Sequence, residues 1–128
     1  MRKRPAHRRD RGQAAIEYLG FLPLLLIVGL AGLQLGIVAY AAQQAGTAAR
    51  AAARADTVDV PDDEVAPDPV AAGRAAVSGW IADRSEITVA DGVATVRVSI
   101  PSVVPFWTFD DPIEKTATMP VPEEEDRP

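Results

Sequence analysis

One carboxylate, Glu17, stands at the mouth of an apolar run, Leu19 to Tyr40, that is otherwise suited to lipid. A charge at mid-bilayer costs about 2.5–3.5 kcal/mol and less near the interface, so an intramembrane carboxylate is a functional candidate by default. The chemistry open to it is ion pairing, because a carboxylate carried into low dielectric needs a cationic partner. The competing reading is that Glu17 marks only the solvated end of the span. Other chemistry is poorly supplied. The chain has no cysteine and one histidine, His7, in its basic N-terminal arm, so its body lacks a Ser/His/Asp triad, a Cys/His pair and the usual zinc sets. Near the C-terminus, Glu123-Glu124-Glu125-Asp126 reads as a solvated acidic end, since a charge run lacks ligand spacing. The sequence points away from an enzyme, with no catalytic, cofactor-binding or metal-binding residue expected.

The element that positions Glu17 is the apolar run itself. Its 22 residues, rising about 1.5 Å each in a helix, span roughly 33 Å, enough for a bilayer core. Six basic residues precede it (Arg2, Lys3, Arg4, Arg8, Arg9 and Arg11), and the first beyond it are Arg50 and Arg54. Positive residues stay on the side from which a helix inserts. We therefore expect a single-pass protein of the cell membrane, its N-terminus cytoplasmic and its C-terminal domain extracytoplasmic. With Asp10 counted, residues 1–12 carry +5, which leaves −10 on the remainder of a chain of net charge −5. An acidic body repels phosphate, so nucleic acid is not an expected partner, whereas membrane lipid is. A secretory signal peptide is the alternative, with Ala39-Tyr40-Ala41 as its cleavage pattern; against it, the apolar run exceeds the usual 7–15 residues.

Within the span, Gly32 and Gly36 have the GxxxG spacing that lets two helices approach closely, although glycine is common in membrane helices in any case. Gln34 can bond across helices. Pro23 either kinks the first turns or is a tolerated proline near a helix start. From Ala41 to Ala55 the chain is alanine-rich with Gln43, Gln44, Arg50 and Arg54, so the helix should continue out of the bilayer. Its narrow alanine surface suits packing either against like helices or against the protein's own domain.

Residues 56–67 read as an acidic, proline-bearing loop. Asp68-Pro69 supplies an N-cap and a first-turn proline for a helix to about Ile81, with Val70, Ala76, Val77 and Trp80 near one face. Ile87 to Val89 and Val93 to Ile100 alternate apolar and polar residues about Asp91-Gly92, a strong hairpin signal. Val96, Val98 and Ile100 should face a core with Trp80, leaving Arg97 and Ser99 outward. Ile113 to Val121 can form a third strand. Between them, Val103, Val104, Phe106, Trp107 and Phe109 form either a membrane-interface or partner patch or a lid folded back on the sheet.

The run Gly12-Gln13-Ala14-Ala15-Ile16-Glu17-Tyr18 followed by a long apolar helix resembles the processing site of type IV pilin-like proteins. The Glu-Tyr pair is the form seen in the Flp/Tad (tight adherence) branch. With the Ala/Arg-rich extension and a short β-bearing exterior domain, the chain looks like the TadE-like pilus assembly family. The resemblance implies cleavage by a prepilin peptidase after Gly12, a new N-terminus at Gln13, and assembly roles for Glu17 and Tyr18. It further implies association with other Tad/Flp pilus components, helix against helix. For the cation that Glu17 needs in low dielectric, the amine created at Gln13 is the nearest candidate, best reached from a neighbouring subunit. Two departures matter. Gln13 stands where many type IV pilins have Phe or Met, which leaves N-methylation without support. The exterior domain is also larger than that of the major Flp pilin, which favours a minor pilin or pseudopilin role.

Together these expectations describe an α+β protein: a basic cytoplasmic leader (1–12), a transmembrane helix with an Ala-rich extension (13–55), and an extracytoplasmic domain with one helix and about three antiparallel strands (56–128). Its expected role is in secretion and adhesion as a pilus-associated component. A signal-peptide-bearing or membrane-tethered binding module with no filament role is the alternative.

Overall fold

The computed structural model describes residues 10–108 and 110–121. The basic residues Arg2 to Arg9, Phe109 and the acidic run Glu123 to Asp126 lie outside the described residues. One helix dominates: α1, Asp10–Asp56, 47 residues long, continuous through Pro23. Two short helices follow, α2 (Pro69–Ala75) and α3 (Gly79–Ala82), then strands β1 (Ser85–Ala90), β2 (Val93–Val98) and β3 (Ile113–Thr118). The strands form one antiparallel sheet in the order β1-β2-β3. The expected α+β architecture, a long apolar helix with a small three-stranded domain, is the one observed.

The core is built on the alanine face of α1. Ala41, Ala45, Ala48, Ala49, Ala52 and Ala53 are fully buried, and Ile81, Ile87, Ala94, Val96 and Val98 close over them. Of the two readings of the alanine surface, packing on the protein's own domain is what the structure has. Small side chains let α2 come close. A Cβ added at Gly73 would lie 2.9 Å from Ile87 Cδ1, 3.1 Å from the Ala48 carbonyl oxygen and 3.2 Å from Ala52 Cβ. Val96 and Val98 point into this core and Arg97 and Ser99 away from it, as the alternation predicts. On the outer face of the sheet, Arg97 Nε pairs with Glu114 at 2.7 Å, and Thr95 and Thr116 hydroxyls meet at 3.2 Å.

Both ends of the sheet are fastened to α1. At its far end, Asp91 (φ 52°) and Gly92 (φ 74°) make the tight hairpin turn, and Gly92 donates its N–H to the Asp56 carboxylate at 2.8 Å. No side chain fits at Gly92, because a Cβ there would sit 2.5 Å from the Met119 carbonyl oxygen. At the near end, Gln34 Oε1 accepts from the Val103 N–H at 2.8 Å, and Gln34 Nε2 donates to the Pro101 carbonyl at 3.4 Å. From Gln34 to Asp56 a helix rises about 33 Å, close to the roughly 36 Å that an extended chain covers from Gly92 to Val103. Strand β2 thus runs back along α1 towards its apolar end.

The region after Asp68 departs from the expected single helix. Asp68 caps as read, its Oδ1 accepting from the Val70 N–H at 2.9 Å, but α2 ends at Ala75 and a second helix starts after Ser78. Ser78 takes extended backbone angles and is held there by α1: its N–H donates to Gln44 Oε1 at 3.3 Å and its hydroxyl accepts from Tyr40 at 3.1 Å. The break rotates the second piece, so that Ile81 enters the core while Trp80 stays 39 % exposed, the Arg84 guanidinium lying 4.7 Å from its ring centroid. Ala76 is exposed as well. Strand β3 stops at Thr118, short of the expected Val121, ahead of Pro120, which has no N–H for a ladder.

Candidate functional site

The candidate site is the part of α1 that the domain leaves bare. Residues 12–29 are all exposed; burial begins at Leu30 and is complete at Gln34. From Gly12 to Leu33, 22 residues and about 33 Å of helix, only Leu30 is partly covered. α1 is the one helix among the described residues long and apolar enough to cross a membrane. Its exposed side chains, among them Ile16, Leu19, Phe21, Leu22, Leu24, Leu25, Leu26, Ile27 and Val28, would face water in a soluble protein. A continuous apolar surface of this length calls for a bilayer or another helix.

This geometry bears on how much of α1 is free to face lipid. The apolar run ends at Tyr40, but residues from Gln34 onward are gripped on one side by the domain. Their apolarity therefore serves the domain contact as well as any membrane. Counted back from Gln34, the roughly 20 residues that a bilayer core needs would begin at Ala14. Glu17 would then lie within about one turn of the end of the span.

Glu17 and Tyr18 are both exposed, Tyr18 to 72 %. With Ala14 and Phe21 they surround a shallow open notch on the helix surface. Among the described residues Glu17 makes no hydrogen bond and no ion pair, the single ion pair being Arg97–Glu114. Gly12 is exposed, and Gln13 lies four residues before Glu17, on the same helix face one turn away. Cutting the Gly12–Gln13 bond would thus set a free amine beside the level of the carboxylate.

Gly32 and Gly36 are exposed, and a Cβ at either would meet nothing within 4 Å. Each is two residues from Gln34, so both lie about 200° around the helix from the side that carries the domain. On the same count Glu17 falls about 60° from Gly32 and about 100° from both Gly36 and Gln34, on the flank between the glycines and the domain side. Gln34, by contrast, is only 2 % exposed and spends its amide on the 101–103 backbone. The expected cross-helix bond is an internal one. Its use was open to sequence reading only as a polar residue in an apolar run in want of a partner.

Among the described residues no group of three or more His, Asp or Glu side chains is arranged to hold a metal ion. Residues 12–54 match the family model described as TadE-like protein, a match that covers the bare stretch, Glu17, the glycines and the buried alanine face. No curated protein and no solved structure matches the chain.

Proposed function

We propose that this chain, TadE-like over residues 12–54 and so associated with a Tad pilus system, is a minor pilin or pseudopilin-like component cut by a prepilin peptidase after Gly12. The observation that carries the reading is an exposed carboxylate, Glu17, five residues beyond Gly12 on an apolar helix that the domain leaves uncovered as far as Gly29. Hydrolysis after Gly12 removes the basic arm and leaves a protonated amine on Gln13. A neighbouring chain displaced by one turn along the axis brings its amine level with Glu17. That pairing lowers the cost of moving the carboxylate from interface to filament. Gly32 and Gly36 let the second helix approach on the side away from the domain. The domain stays on the opposite side of α1, where it does not obstruct the contact.

Affinity capture of the full chain from native membranes tests the reading. Other Tad pilus components should accompany it; recovery of the chain alone would favour a tethered module with no filament role. Orientation is tested separately with Val65→Cys, the only thiol in the chain, at a residue that is 95 % exposed. An impermeant maleimide should label it in cells whose outer barrier admits the reagent. Labelling only after the cytoplasmic membrane is broken would reverse the assigned topology.

A further inference from the structure

The described aromatic rings are all absent from the domain core, which is alanine, valine and isoleucine. They gather at two levels of α1. Tyr18 and Phe21 lie at the beginning of the bare stretch, and Tyr40, Trp80, Phe106 and Trp107 lie where the domain begins. Tyr40 bonds Ser78 beside α3, and Gln34 holds the backbone at Pro101 and Val103. Aromatic side chains at both ends of a span are the arrangement found at the two bilayer interfaces.

The loop between β2 and β3 is built to present its rings. Ser102 Oγ bonds the carbonyls of Val104 and Trp107, and the Trp107 N–H reaches the Val104 carbonyl at 3.4 Å. Within this turn Phe106 takes φ 66°, a left-handed backbone rarely adopted by a bulky residue. Its side chain is fully exposed and that of Trp107 is 65 % exposed. A lid folded over the sheet would have buried both rings. Leu33 and Leu35, on either side of Gln34 in α1, are also 54 % and 70 % exposed.

We propose that the 102–107 loop is an interfacial anchor: Phe106 and Trp107 enter the headgroup region of the outer leaflet, and Gln34 fixes the loop at that depth. The anchor seats the domain directly on the bilayer and sets how far α1 can slide, and with it the depth of Glu17. Asp110 and Asp111, both exposed just beyond the loop, would be repelled by anionic headgroups. Neutral phosphatidylcholine is therefore the appropriate surface. The proposal rests on α1 crossing a bilayer and not on any filament role.

The test uses the full chain in phosphatidylcholine vesicles whose acyl chains carry bromine near the headgroup end. In Trp80→Phe, Trp107 is the only indole, and its emission should be lost to the brominated lipid while aqueous iodide quenches it little. A reference chain with Leu26→Trp and both native tryptophans changed to Phe reports whether α1 is in the bilayer. If Leu26→Trp is quenched by lipid and Trp107 is not, the anchor is wrong and the span stands. If neither is quenched, the span fails and the anchor with it. Shielding of Trp107 that appears only at high protein-to-lipid ratio would assign the surface to a second copy and overturn the proposal. Gln34→Leu, which leaves the Val103 N–H without its acceptor, should return Trp107 to iodide. Unchanged shielding there would remove Gln34 from the anchor.

Discussion

Glu17→Gln should leave the protein at its normal level in the membrane and normally processed, yet unable to join other pilus components. The substitution keeps size and most hydrogen-bonding capacity while deleting the charge. Insertion depends on summed hydrophobicity, which loss of a charge can only raise. The Gly12–Gln13 bond and the basic residues before it are untouched. Association is different, because removing one member of a buried ion pair costs about 3–5 kcal/mol, most of it from the charge left behind. Under the proposed function the charge left behind is the neighbour's Gln13 amine. Co-purification with pilus components and piliation itself are the readouts, each normalised to membrane level. A variant that assembles as well as the parent would reduce Glu17 to an interfacial residue. In the structure the domain grips α1 at Gln34 and leaves Glu17 exposed, free to meet a neighbouring chain.

Gly73→Val should have the largest effect on the domain. The first added carbon meets the Ala48 carbonyl oxygen at 3.1 Å and Ala52 Cβ at 3.2 Å, neither of which can swing aside. Ile87 Cδ1, at 2.9 Å, can turn away only into a filled core. Extra carbons in a packed core cost about 1–3 kcal/mol each time they force a shift, and a branched side chain forces α2 off α1 altogether. Stability in a domain this small is a few kcal/mol at most, so the sheet should lose its cover. Hydrogen exchange of the Val96 and Val98 amides, measured on the full chain in detergent, should accelerate towards the unfolded rate. Gly73→Ala should give an intermediate acceleration. Unchanged exchange in Gly73→Val would contradict the packing of α2 on the alanine face.

Local signals in the sequence account for the elements whose partners are close by. Asp91-Gly92 announced its hairpin because both residues adopt positive φ, and the alternation from Val93 to Val98 placed the inward valines correctly. Asp68 announced its cap in the same way. The misreadings arose where a distant group decides the outcome. Ser78 breaks the second helix because Gln44 and Tyr40, more than 30 residues earlier, hold its backbone and hydroxyl, and the break carries Trp80 out of the core. From Gln34 the apolar run also meets the domain, a contact that hydropathy does not distinguish from lipid. Gln34 was the visible exception, and its partners at Pro101 and Val103 lie 67 and 69 residues away. At the site itself, Gly12, Gln13, Glu17 and Tyr18 were legible as a short motif, and Gly32 and Gly36 as a spacing. That the glycines face away from the domain depends on the position of Gln34, which only the fold supplies.

The most direct measurement is N-terminal sequencing of the protein recovered from the membranes of cells with an active prepilin peptidase. The account predicts a chain beginning at Gln13, either free or cyclised to pyroglutamate. A start at Ala42 would assign residues 1–41 to a signal peptide, and an intact Met1 would contradict pilin-like processing altogether.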